Sequence, residues 1–186
     1  ITDLPIPVQR WVQKSGILNK GPVKTIELEQ ELQMLMSPEQ EKWQQGKAKQ
    51  HFSISPPAFH WTVGLQMNPV LEIVGRDQLV NGKGEMIIKI LSLLPVVNAK
   101  SSKKLNQATL QRYLAEIVWF PSAALSPFIT WESDDDSSAK ATISINGTTG
   151  SGTFHFDQEG NFETFVALRY KDIDEDAQPI EWIVTS

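Results

Sequence analysis

The sequence predicts one α+β domain: a strongly curved antiparallel sheet of about nine strands with two main helices packed on its concave face. Three observations point there. Apolar residues recur at every second position through much of the chain, which is the period of a half-buried strand. The connections between these segments are short, which favours antiparallel neighbours because parallel pairs need long crossovers. Helical spacing is confined to two segments, one leading the chain and one near its middle.

Asp3 followed by Leu4, Pro5 and Pro7 is a helix-start signature, and Leu4, Val8, Trp11 and Val12 keep helical spacing until Gly16 offers a stop. From Lys24 the period changes to two: Ile26, Leu28, Leu32, Met34 and Met36 alternate with Lys, Glu and Gln, and Ser37-Pro38-Glu39-Gln40 punctuates the run. Ala48, Gln50, Phe52 and Ile54 continue the alternation to Pro56-Pro57. Phe59, Trp61, Val63, Leu65 and Met67 then share one face, opposite His60, Thr62 and Gln66. Asn68-Pro69 turns the chain into a strand from Val70 to Val80, and Asn81-Gly82-Lys83-Gly84 is a hairpin signal leading to Met86, Ile88 and Ile90. The apolar run from Met86 to Val97 reads as one long strand or as a strand broken at Pro95.

A second helix is expected from an N-cap at Asn106 to Trp119, where Phe120-Pro121 ends it, with Leu110, Tyr113, Leu114, Ile117 and Val118 as its apolar stripe. Pro121 to Pro127 reads as a turn or one loose helical turn. Strands resume at Phe128 to Glu132, Lys140 to Ile145, Thr153 to Asp157 and Phe162 to Tyr170, with Trp182 in a last candidate strand.

At 186 residues, 40% apolar, the chain is long enough for one domain, residues 1–186, with a substantial core. The absence of cysteine excludes disulfides, thiolate metal sites and cysteine nucleophiles. A formal charge of -5 without a basic cluster argues against nucleic acid as a partner. The longest near-apolar stretch, Met86 to Val97, holds Lys89, Ser92 and Pro95 and falls short of the roughly 20 residues of a spanning helix. The opening Ile1-Thr2-Asp3 matches no part of a signal peptide, so the N-terminus reads as already trimmed.

Chemistry-bearing motifs are few. There is no G-x-S-x-G, H-E-x-x-H, G-K-[ST] phosphate loop or strand-to-helix G-x-G-x-x-G, and no cofactor is implied. Asp172, Asp174 and Asp176 mimic a calcium loop, but Ala177 stands where Gly is wanted and Ile183 where a bidentate carboxylate is needed, so no metal is expected. Asp134-Asp135-Asp136 reads as a solvated turn. His51, His60 and His155 share no ligand spacing; Thr153, His155 and Asp157 are expected on one sheet face. The middle helix is more informative, because Arg112, Glu116 and Trp119 form a stripe opposite its apolar one. This stripe is either an exposed ion pair beside a packed indole or the guard of a pocket mouth.

Leu4-Pro5-Ile6-Pro7-Val8-Gln9-Arg10-Trp11 and Arg112-Tyr113-Leu114-Ala115-Glu116-Ile117-Val118-Trp119-Phe120-Pro121 resemble the motifs of an uncharacterised bacterial family, a domain of unknown function. The likeness continues through Pro56-Pro57, Leu94-Pro95-Val96-Val97 and Phe154-His155-Phe156-Asp157. In its order of elements the chain is also similar to LolA- and LppX-type periplasmic lipoprotein carriers. That resemblance implies a half-barrel whose helices lid an apolar cavity, and a periplasmic or membrane-associated setting in preference to the cytoplasm.

The expected function is therefore binding or carriage of a lipid or other hydrophobic small molecule, without catalysis. Phe52, Trp61, Val63, Leu65, Met67, Ile88 and Ile90 would line the pocket and Tyr113 and Trp119 its lid, with Arg112, beside Glu116, pairing a head group at the rim. The alternatives are a hydrolase or isomerase using Glu116, His155 and Asp157 in the same cavity, and a scaffold with a filled core.

Overall fold

The computed structural model describes residues 1–35, 41–68, 71–90 and 94–186. The break at Ser37-Pro38-Glu39-Gln40, the strand end at Met36, the turn at Pro69, the strand start at Val70 and the centre of the Met86 to Val97 run lie outside these residues.

The fold is α+β, with two antiparallel sheets in place of one half-barrel; neither is closed or strongly curled. The first is a six-stranded meander: β1 (Thr25–Met34), β2 (Gln44–Ile54), β3 (Pro57–Asn68), β4 (Leu71–Val80), β5 (Lys83–Ile90) and β6 (Leu94–Ala99). The second runs, in spatial order, β11 (Ile180–Thr185), β10 (Phe162–Arg169), β9 (Thr148–Phe156), β8 (Ser138–Ile145) and β7 (Ile129–Ser133). Of the eleven strands among the described residues, β6 and β11 bring the count above the expected nine. Pro95 sits in β6, an edge strand, where its missing N–H is tolerated, and the ladder to β5 shifts register between Ile88 and Lys89.

Helix α1 spans Ile6–Lys14 and α2 spans Lys103–Glu116. The cap of α2 is Ser102, whose hydroxyl accepts the Leu105 N–H at 3.2 Å. Asn106, the expected cap, instead accepts the Gly84 N–H at 2.8 Å, which fixes the helix to β5. Short 3-10 turns at Ile117–Trp119 and Pro121–Leu125 follow, as the Phe120-Pro121 breaker predicts.

The single concave sheet fails because α2 is buried nearly all round. Leu105, Ala108, Thr109, Leu110, Gln111, Tyr113, Leu114 and Ala115 are all shielded, whereas a helix lying on one sheet buries a single stripe. Each sheet takes one side of it. On β5, a Cβ at Gly84 would overlap Thr109; on β9, one at Gly150 would stand 3.0 Å from the Leu110 Cβ. Glycine at both positions lets the two sheets close on the helix. Helix α1 packs elsewhere, with Trp11 against Trp131, Phe154 and Phe156 of the second sheet.

Candidate functional site

Register arranges the inner face of the first sheet in cross-strand rows. Ile26, Phe52, Phe59 and Leu79 form one row, and the side chains of Phe52, Phe59 and Leu79 are buried in the main core. The next row is Leu28, Gln50, Trp61, Asp77 and Met86. Beyond it come Ala48, Val63, Gly75 and Ile88, then Leu32, Leu65, Ile73 and Ile90. The row holding Gln50, Trp61 and Asp77 is thus a polar seam between the core under α2 and an apolar half-face beyond it.

Helix α2 crosses the strands from β5 towards β2 and meets this seam with Arg112 and Glu116. Arg112 Nη1 donates to Asp77 Oδ2 at 2.6 Å and its Nε to Glu116 Oε1 at 2.9 Å. Gln50 Nε2 donates to the other Glu116 oxygen at 2.8 Å. The guanidinium carbon lies 4.7 Å from the Trp61 ring centroid and 5.1 Å from that of Phe59, and the Trp61 indole N–H donates to Gln30 Oε1 at 3.1 Å. The i, i+4 pair forms as its spacing predicts, yet it is far from exposed: the Arg112 and Glu116 side chains retain 17% and 12% exposure, and Asp77 11%.

Burial works against the Arg112 charge, but Glu116 and Asp77 outweigh it and hold the guanidinium above its ordinary value. Burial raises the Glu116 carboxyl, and Asp77 adds to the rise, against the pull of Arg112 and Gln50. Asp77 Oδ1 and Gln50 Oε1 are buried without a partner among the described residues. The seam is therefore rich in acceptors.

A cleft of about 580 Å³ opens on the other side of the helix end. Arg112, Ala115, Glu116, Val118 and Trp119 form one wall; Phe162, Arg169, Trp182, Val184, Thr185 and Ser186 form the other. Trp119 is 50% exposed at its mouth. Arg169, the last residue of β10, donates through Nε to the Ala108 carbonyl at 3.1 Å and stacks its guanidinium 4.7 Å from the Trp182 ring. A larger hollow of about 850 Å³ lies over β1 to β4, bordered by Glu29, Glu31, Lys47, Lys49 and Glu72 among others. Its charges pair across the sheet, as in Lys49 to Glu29 at 2.6 Å, and such exposed pairs contribute about 0–1 kcal/mol. We read it as a solvated sheet surface.

The expected pocket residues fall into three places. Phe52 and Tyr113 are core, 2% and 0% exposed, with rings 6.1 Å apart. The Tyr113 hydroxyl donates to the Ser53 carbonyl at 3.0 Å and burial pushes its ionisation upward, so Tyr113 is no lid residue. Val63 and Leu65 are buried in the half-face beyond the seam, next to half-buried Trp61; Ile88 and Ile90 are half-buried on the same face, and Met67 is half-buried at the register shift between Gln66 and Asn68. Only Arg112, Glu116 and Trp119 line the cleft. Nor do Glu116, His155 and Asp157 meet. His155 alternates with buried Phe154 and Phe156 and so points away from α2, while Asp157 turns the chain by accepting from Asn161 and Glu159. Those bonds, led by the Asn161 side chain, hold the Asp157 carboxyl low. Among the described residues no three His, Asp or Glu side chains gather to hold a metal ion.

A family model matches residues 2–186. The chain belongs to DUF6920, a family of unknown function. Neither a curated protein nor a solved structure matches it. The comparisons show no link between this DUF6920 chain and the LolA or LppX carriers.

Sequence reasoning passed over three DUF6920 residues that shape the site: Asp77, Arg169 and Trp182. The signal was parity. Asp77 lies two residues from Gly75 and Leu79, and Arg169 shares its parity with the buried Phe165 and Ala167. A charge at an inward position needs a partner or a ligand.

Proposed function

We propose that this DUF6920 protein binds a lipid or other hydrophobic small molecule in the cleft between the end of α2 and the inner face of β10 and β11. The observation that carries this reading is the combination of a half-open volume of about 580 Å³ with walls of Val118, Trp119, Phe162, Trp182 and Val184. That volume is in the range of small-molecule sites, which are mostly apolar with a few placed polar groups. The driving term is apolar area removed from water, about 25 cal/mol per Å². Trp119 is well suited to it, since an indole half in solvent gains most from being covered. An acid–base role for Glu116 has less support, because both of its oxygens are engaged by Arg112 and Gln50.

A lipid ligand accords with work near a membrane, in the periplasm or at a membrane surface. Among the described residues no helix is long and apolar enough to cross a bilayer. Native mass spectrometry after gentle purification tests the reading. A bound hydrophobic adduct that a lipophilic dye displaces, and that Trp182→Ala weakens, is the expected result; a bare mass together with no dye binding contradicts it.

A further inference from the structure

We infer that the molecule in this cleft is an anionic amphiphile whose carboxylate docks end-on against the Arg169 guanidinium while its chain lies along Phe162, Trp182 and Val184. The inference rests on the hydrophobic-ligand reading above and adds the head-group chemistry.

Four ionisable side chains meet around the helix end, and three of them are bonded to one another. Arg112 takes Asp77 at 2.6 Å and Glu116 at 2.9 Å, and the second Glu116 oxygen is occupied by Gln50. Arg169 is the fourth. Among the described residues it has no carboxylate within 4.0 Å, and its only hydrogen bond is the one from Nε to Ala108. Burial and the neighbouring Arg112 both press Arg169 below its ordinary value, yet a guanidinium stays protonated near neutrality. Asp77 and Glu116 offset this only in part, and a half-buried guanidinium with no carboxylate bonded to it, next to another cation, is an arrangement that an incoming anion relieves.

Geometry narrows the anion. The Nε edge of Arg169 is spent on Ala108 and one face is covered by Trp182, which leaves the two terminal nitrogens. That pair matches the two oxygens of one carboxylate. A dianionic phosphate asks for more donors than a single guanidinium edge supplies. The cleft lining then continues in apolar side chains, the partition of a fatty-acid-like molecule rather than of a small dicarboxylate.

Calorimetric titration at low salt with dodecanoate, dodecanol and dodecyl phosphate is the test. The expected result is a preference for dodecanoate over dodecanol of about ten- to hundredfold, as charge-assisted hydrogen bonds supply. Arg169→Gln should collapse that ratio to about one, and Arg169→Lys, which keeps the charge but loses the fork, should leave an intermediate ratio. Circular dichroism checks that each variant is folded; should the Gln variant not fold, the wild-type ratio and the Lys variant still decide. Equal binding of dodecanoate and dodecanol overturns the inference and leaves the hydrophobic-ligand reading standing. Tighter binding of dodecyl phosphate overturns the carboxylate assignment. If none of the three binds, both readings fall.

Discussion

Arg112 of α2 is bonded to Asp77 of β4 at 2.6 Å, at the row where the core of the first sheet gives way to its open apolar half. The contact therefore holds the helix at one position across the strands. Arg112→Met should destabilise the protein by about 3–5 kcal/mol, because it leaves Asp77 and Glu116 buried together without a cation. Asp77→Asn should cost less, since Glu116 still pairs Arg112. Urea unfolding midpoints measure both, and equal small losses would mean that the seam is solvated.

Glu116 imposes a pH dependence whose sign follows from its environment. Burial raises its carboxyl above the ordinary 4.5, so the folded protein holds that proton to higher pH than the unfolded chain does. Stability from this group falls as pH rises from about 4.5 through the raised value and is level on either side. Glu116→Gln should remove that slope. The test is the difference in unfolding free energy between wild type and variant from pH 4 to 8; a difference that grows with pH reverses the sign and contradicts the assignment.

Gly84 lies where α2 presses on β5, with Thr109 in the space a Cβ would take. Gly84→Ala should lower stability by about 1–3 kcal/mol, the range for overpacking. Adding Thr109→Ala should restore part of the loss, because the hydroxyl is the nearest obstacle. Additive losses in a double-mutant cycle would show that the two positions are not in contact.

Tyr113→Phe removes one hydroxyl from a fully buried ring and leaves the Ser53 carbonyl without that donor. A loss of about 1 kcal/mol is expected in thermal or urea unfolding. A neutral substitution would mean that the hydroxyl makes no net contribution through Ser53.

Much of this was legible from residue types alone. The period-two segments became strands, and Asn81-Gly82 became a tight turn with φ of 53° and 77°. The Arg112 to Glu116 pair also formed at its helical spacing. The division into two sheets was hidden, because alternation shows which side chains of a strand face inward but not which strands pair across a helix. With one sheet assumed, Arg112 and Glu116 faced solvent or a pocket mouth; in the structure they pack onto the first sheet, against Asp77, Gln50 and Trp61. Ser102 and Asn106 are both good caps by type, and only the approach of Gly84 assigns Asn106 to β5. Arg169 closes a strand, a place where a cation reads as solvated, until β11 and Trp182 cover it.

Backbone amide and indole NMR shifts, followed while dodecanoate is titrated into the wild-type protein, test most directly where a ligand sits. Binding in the cleft predicts saturable shifts concentrated at the Trp119 and Trp182 indoles and at Ala115, Val118 and Val184. Shifts confined to Met34, Leu65 and Ile90 on the open half of the first sheet, or none at saturating ligand, would contradict it.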